Sequence, residues 1–177
     1  MTYRRFPYAV DKILSMLAYG LPMIETLYFF GDRVFLYSGD LTLQVFYFKY
    51  LSAPILFYQS HIYVFLVITL AVFQLCARNS IPMSEGRLGL SRFLRLNVLQ
   101  AILLQVLITC SGQVFVLSPG WVRLTILGSL ISTSFMIGVG GLVLYAIFLI
   151  TIGRYPLIPI ITASSRLQII MRDFTEE

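Results

Sequence analysis

Charged side chains are scarce in this chain. Only 12% of the 177 residues are Asp, Glu, Lys or Arg, whereas 58% are apolar. A soluble domain carries about 25% charged residues. A chain with so few charges cannot cover a folded surface in water, so the composition predicts an all-α polytopic membrane protein.

Residues that bind metals or drive catalysis are also rare. The chain has one histidine, His61, and two cysteines, Cys76 and Cys110, which lie in separate apolar runs without a ligand partner at metal-binding spacing. A disulfide or a zinc site is therefore unsupported. There are no paired acids and no H-E-x-x-H, G-x-S-x-G or phosphate-loop motif. We expect no catalytic residues, no cofactor and no metal site, and hence no enzyme.

Long apolar runs are what the chain has in abundance. A helix needs roughly 20 apolar residues to cross a bilayer, and four runs are candidates. They cover about residues 13–30, 62–77, 93–117 and 124–152. The connections between them are too short to bury a soluble core, so residues 1–177 are predicted to form a single membrane domain.

The few basic residues cluster beside these runs and indicate orientation. With four spans, ten of the thirteen Lys and Arg residues fall on the side of both termini: Arg4, Arg5, Lys12, Arg78, Arg87, Arg92, Arg95, Arg154, Arg166 and Arg172. Only Arg33, Lys49 and Arg123 fall on the other side. By the positive-inside rule both termini face the stroma or cytosol, with Arg78, Arg92, Arg95 and Arg154 as topology anchors. Short clusters at run ends form no continuous basic patch, so we expect no nucleic acid partner.

Two segments outside the spans are predicted to contact membrane lipids. Residues 43–58 are rich in Phe and Tyr, which favour the headgroup level. Residues 160–174 have apolar positions at helical spacing opposite polar ones, the pattern of a surface-lying amphipathic helix. Each could instead pack against the bundle or a partner.

Polar residues inside the spans are the candidates for function. Glu25 is the only acid well within an apolar run, and an acid in a membrane is costly to bury. Pro22 precedes it by about one helical turn and should kink the helix. The alternative is that Glu25 lies near the interface and reaches water or Arg123.

The third span carries three amides, Asn97, Gln100 and Gln105, on one broad side. Amides facing lipid would be left without partners, so this side should face other helices or a wet cavity. We therefore predict either interhelical hydrogen bonds or a path for a polypeptide or solute. The sequence alone leaves both open.

Three sequence blocks carry a family resemblance. They are LSMLAYGLPMIE at residues 14–25, SRFLRLNVLQAILL at residues 91–104 and GRYPLIPII at residues 153–161. The middle block contains an arginine-x-asparagine-x-x-glutamine-alanine-isoleucine-leucine pattern. With these blocks and their spacing, the chain resembles the twenty-kilodalton Tic subunit family of the translocon at the chloroplast inner envelope, which has plastid-encoded and cyanobacterial relatives.

The resemblance implies a four-span subunit that helps to conduct preproteins across the chloroplast inner envelope, or a related role in a cyanobacterial membrane. It implies other translocon subunits and preprotein chains in transit as partners, and it supplies no catalytic residues. Two alternatives belong to other classes of protein. One is a non-conducting accessory or scaffold subunit of a plastid membrane complex, and the other is a small-solute transporter.

Overall fold

The computed structural model of the protein describes residues 9–37, 39–78 and 91–158. Every regular element within these ranges is helical. Three helices are long and apolar enough to cross a membrane, and a bent pair of helices is a candidate for a fourth span. The prediction of an all-α polytopic membrane protein is confirmed.

Six helices make up the described fold. They are α1 (Ala9–Phe35), α2 (Leu41–Ser60), α3 (Ile62–Arg78), α4 (Arg92–Leu117), the short α5 (Gly120–Arg123) and α6 (Ile126–Ile152). Helix α1 extends beyond the predicted apolar run at both ends, because polar residues such as Asp11 and Asp32 continue its helical hydrogen bonding. The chain bends by 77° between α2 and α3.

Local sequence signals fix several helix ends. The side chain of Ser91 accepts a hydrogen bond from the Leu94 amide at 3.1 Å and caps α4. Asp40 caps α2 in the same way, through the Thr42 amide at 2.8 Å. Helix α6 ends at Gly153, whose φ of +80° is a left-handed conformation that suits glycine.

Contacts along α1 and α4 show that these helices run in the same direction. From the start of each helix to its end, the contacting pairs are Tyr19 with Gln100, Glu25 with Thr109 and Phe30 with Phe115. Helix α6 runs the opposite way, since Lys12 contacts Thr151 and Phe30 stacks on Phe135. We call the end of the bundle with Ala9, Arg92 and Ile152 the proximal end, and the end with Phe35, Leu117 and Ile126 the distal end.

Helices α2 and α3 together return the chain from the distal to the proximal end. Helix α2 packs along α1, with Tyr47 bonded to Asp32 and Tyr58 bonded to Glu25. These partners lie seven residues apart on α1, which is about 10 Å along its axis. Helix α3 then ends near the proximal end, where the carbonyl of Cys76 accepts a hydrogen bond from Arg95 Nε at 3.0 Å. A return of this kind is required because α1 and α4 are parallel.

Helix α4 is the central helix of the bundle. Of its most apolar stretch 67% is buried, against 22% for α6. It packs tightly against α1 at Gly112, where an added Cβ would overlap the ring of Phe29. Helix α3 buries little beyond Cys76 and leaves most of its apolar side chains exposed. The core therefore lies between α1, α4 and α6, with apolar faces of α3 and α6 directed outward.

Candidate functional site

Glu25 lies on the side of α1 that faces α2 and α4. Its side chain is 2% exposed, so it reaches neither water nor Arg123 in this fold. Helical hydrogen bonding in α1 is interrupted at Tyr19, three residues before Pro22, which has no amide hydrogen to donate to Ala18. The carbonyl of Pro22 accepts a hydrogen bond from the Thr26 hydroxyl at 2.7 Å.

Three side chains donate hydrogen bonds to the Glu25 carboxyl group. The Tyr58 hydroxyl and the Gln105 amide bond to Oε2, the latter at 3.4 Å, and the Thr109 hydroxyl bonds to Oε1 at 2.8 Å. The donors come from α2 and α4. Because burying an acid without partners is costly, this set of donors explains how the side chain is accommodated.

Gln100 joins three parts of the chain one to two turns closer to the proximal end. Its Oε1 accepts a hydrogen bond from the Tyr19 hydroxyl at 3.2 Å, and its Nε2 donates to the Pro156 carbonyl at 3.3 Å. The amide thereby links α1, α4 and the segment after α6. Pro156 and Ile158 of that segment are buried.

Asn97 is fully buried but bonds within its own helix. Its Nδ2 donates to the Phe93 carbonyl at 2.9 Å. Within the described ranges its Oδ1 has no hydrogen-bond partner, and neither does Oε1 of Gln105. The hydroxyls of Ser15 and Ser132 are buried without a partner among the same residues. The structure thus brings Glu25 and Gln105 together, whereas Asn97 and Gln100 make separate contacts.

The predicted anchors lie near the proximal end but differ in environment. Arg95 is buried to 9% exposure and fastens α3 to α4 through the Cys76 carbonyl. Arg154 is exposed just after α6. The side chains of Arg78 and Arg92 lie outside the described part of the structure, as does the whole predicted amphipathic segment at residues 160–174.

Sequence reasoning did not single out the partners Tyr19, Tyr58 and Thr109. Thr109 follows Gln105 by four residues and therefore shares its helix face, which is a usable signal. Tyr58 lies in the aromatic stretch predicted to be interfacial, and no local pattern connects it to Glu25. We call the set Tyr19, Glu25, Tyr58, Asn97, Gln100, Gln105 and Thr109 the polar seam.

The hydrogen bonds of the polar seam connect helices of this one chain to each other. Most of its polar groups bond to one another or to backbone carbonyls across α1, α2 and α4. Over residues 9–37, 39–78 and 91–158 no group of three or more His, Cys, Asp or Glu side chains could hold a metal ion. The fold and this seam define a polytopic helical membrane protein whose helices are joined by buried hydrogen bonds.

Known proteins identify the family within that class. The chain is 30% identical over 160 residues to the Tic20 family protein Ycf60 of Gracilaria tenuistipitata var. liui, covering 90% of this chain and 76% of the relative. The proteins of the same name from Pyropia yezoensis and Porphyra purpurea are 29% and 28% identical over 158 residues, covering 89% of this chain and 75% of each relative. The chain belongs to the Tic20 family, which confirms the resemblance seen in the sequence.

No family model and no solved structure matches the chain. Family membership and the apolar helices together identify a Tic20-like plastid membrane protein.

Proposed function

We propose that this protein is a membrane subunit of a preprotein translocon at the plastid inner envelope and contributes to the protein-conducting channel together with other subunits. Membership in the Tic20 family supports the translocon assignment. The observation that carries the structural part is the contrast between a closed polar seam and the outward apolar faces of α3 and α6. A path for a polypeptide would then lie between this chain and its partners.

The polar seam has a structural role in this proposal. Glu25, Gln100 and Gln105 act as interhelical residues, and Asn97 fills a buried position in α4. A wet path requires polar groups that face open space and water, whereas Glu25, Gln100 and Gln105 are buried and bond to other groups of the protein. The small-solute transporter gains no support from such an arrangement.

The proposed orientation has both termini on the stromal side, with α2 and α3 acting as one broken span. Helices α1 and α4 then cross in the same direction, in agreement with their parallel contacts. Lipids and partner subunits cover the exposed faces of α3 and α6. The second candidate function is a non-conducting scaffold, which the mutual bonding of the seam also favours.

Site-specific photocrosslinking during arrested preprotein import tests the proposal. A compact diazirine amino acid is placed at Gln100 or Gln105 in the seam, and at exposed Leu66 of α3 or Ile137 and Leu144 of α6. We expect the exposed positions to crosslink to translocon subunits, and at least one of them to the arrested chain. The seam positions should yield crosslinks only within the protein.

Each alternative gives a different crosslinking pattern. Subunit crosslinks without any crosslink to the arrested chain would favour the scaffold. A crosslink from Gln105 to the arrested chain would reject the structural role of the seam. Absence of the protein from every complex that holds an arrested preprotein would reject the translocon assignment.

A further inference from the structure

Two unusual helical turns lie in contact at the distal end. Residues Leu27–Gly31 of α1 and Tyr47–Leu51 of α2 each form a π-helical turn. Such turns account for well under 1% of residues and occur frequently at functional sites. The buried Tyr47 packs with Leu27 and Ile55 and lies against Gly31. Both π-helical turns therefore belong to one local structure, which is separate from the polar seam.

A cavity of about 520 Å³, open to the surface at the exposed side chains of Asp32, Phe48 and Leu56, lies beside these turns. That volume is in the range of small-molecule and side-chain binding pockets, roughly 300–1,000 Å³. Four aromatic rings line it, those of Tyr28, Phe29, Tyr47 and Phe48. Asp32 supplies a carboxylate, and Leu56 belongs to the apolar part of the wall.

The charge of Asp32 is not paired with a cation in the described ranges. Its one polar partner there is the Tyr47 hydroxyl, which donates to Oδ1 at 2.6 Å and fixes the carboxylate. The neighbouring cations are engaged elsewhere. The Arg33 guanidinium lies 4.4 Å from the centre of the Tyr37 ring, and the Lys49 ammonium lies 5.2 Å from that of Tyr50.

A carboxylate among aromatic faces is suited to an organic cation. Aromatic rings attract cations through their negative faces, and arginine additionally stacks its planar guanidinium on rings and bonds carboxylates in a bidentate manner. Lysine offers only a compact, strongly hydrated charge. The cavity chemistry therefore favours a guanidinium group with an apolar neighbour.

We propose that this cavity, the distal cavity, binds an arginine side chain of an amphipathic preprotein segment as the chain enters the membrane. The proposal rests on the proposed translocon function and orientation, in which the distal end faces the side of entry. Chloroplast transit peptides are amphipathic, rich in arginine and poor in acids. Asp32 and the rings receive the guanidinium, while Leu56 contacts the apolar face of the segment.

Binding of a fluorescent peptide to the purified full chain in lipid nanodiscs tests the distal cavity. The probe is an amphipathic, acid-free, arginine-containing peptide, and its matched control carries citrulline, the neutral analogue, at each arginine. We expect Asp32→Asn to raise the Kd of the arginine peptide about fivefold and Phe48→Leu about threefold, as expected for loss of charge and ring contacts. Asp11→Asn removes the same charge at the proximal end and should leave the Kd unchanged.

The citrulline peptide separates a specific contact from a general charge effect. It should bind the wild-type chain weakly, and Asp32→Asn should weaken it no further. Equal losses for Asp32→Asn and Asp11→Asn, or no loss for Asp32→Asn and Phe48→Leu, would overturn the proposal. So would displacement of the peptide by choline-headgroup lipid with no preference for arginine over citrulline, because the cavity would then be a lipid site.

The assay needs no other translocon subunit, so its outcome is independent of the import crosslinks. If the chain crosslinks to arrested preproteins but binds both peptides equally, the translocon proposal stands and the arginine site is rejected. If the chain discriminates between the peptides but never enters a preprotein complex, the arginine site stands and the translocon proposal is rejected.

Discussion

At the residue scale, the central question is how an acid is kept inside a membrane bundle. Glu25 has three donors around it, from Tyr58, Gln105 and Thr109. Without the carboxyl group, the Thr109 hydroxyl would keep the Gln105 carbonyl of its own helix at 3.0 Å, but lipid would offer no replacement partner to the Tyr58 hydroxyl and the Gln105 amide. The acid and its donors therefore stabilise the contact of α1 with α2 and α4 as a unit.

Replacing Glu25 by leucine should destabilise the bundle. Three hydrogen bonds at an average of about 0.6 kcal/mol each give a loss of about 2 kcal/mol in the free energy of unfolding. Glu25→Gln retains an acceptor oxygen and should cost less than about 1 kcal/mol. Unfolding equilibria in mixed micelles, followed by circular dichroism, measure both values.

Thr109→Val tests whether Glu25 and its donors act together. By itself this substitution should lower the free energy of unfolding by about 0.6 kcal/mol. In combination with Glu25→Leu it should cost less than the sum of the two, since the same bond cannot be lost twice. A fully additive double variant, or a Glu25→Leu protein as stable as the wild type, would contradict the role assigned to Glu25.

Sequence reasoning found the acceptors of the polar seam more readily than their partners. Glu25 and Gln100 are conspicuous because polar side chains are rare in apolar runs. Tyr19 and Tyr58 are not, because a tyrosine suits an interface, a core or a hydrogen bond equally well. Which one applies depends on helix rotation and register, and a single sequence does not contain these.

At the element scale, hydropathy located the four apolar runs but not the course of α2. The segment that forms α2 is rich in aromatic residues and is interrupted by Lys49 and Pro54, so its composition resembles that of a segment at the membrane surface. The structure packs it along α1, with contacts from Asp32 to Glu25, which is the alternative that the sequence had left open. The sharp bend between Ser60 and Ile62 also escaped prediction, since apolar periodicity carries no information on the angle between consecutive helices.

Close packing of α1 on α4 depends on Gly112. An added Cβ there would overlap the Phe29 ring, so Gly112→Ala should lower the free energy of unfolding by about 1–3 kcal/mol. Gly138 on the exposed side of α6 has no heavy atom within 4 Å of such a Cβ, so Gly138→Ala should not destabilise the protein. The same unfolding assay compares the two variants.

A second substitution tests the cause directly. Phe29→Leu makes room beside residue 112 and should recover part of the stability lost in Gly112→Ala. If Gly138→Ala were as harmful as Gly112→Ala, the loss could not be assigned to the contact of residue 112 with Phe29, because alanine favours a helix more than glycine does and meets no neighbour at position 138.

At the scale of the whole molecule, the direction of the helices and the distribution of charge agree. The parallel contacts of α1 and α4 require the chain to return to the proximal end between them, and α3 ends there beside Arg95. The four-span prediction expects ten of the thirteen basic residues on the side of the termini. The contacts between α1 and α4 involve none of the counted basic residues, so their parallel direction is an argument independent of the charge count.

Single-cysteine labelling tests the resulting topology. After replacement of Cys76 and Cys110 by alanine, one cysteine is introduced at Ser84, between α3 and α4, or at Ser118, at the distal end of α4. The positive-inside bias places Ser84 with the termini and Ser118 on the opposite side. In sealed inside-out and right-side-out vesicles, an impermeant maleimide should therefore label the two positions in opposite preparations.

A cysteine at Tyr155, just after α6, should label together with Ser84, because α6 returns the chain to the proximal end. Labelling of Ser84 and Ser118 in the same preparation would mean that α4 does not cross the membrane, and the four-span arrangement would have to be abandoned.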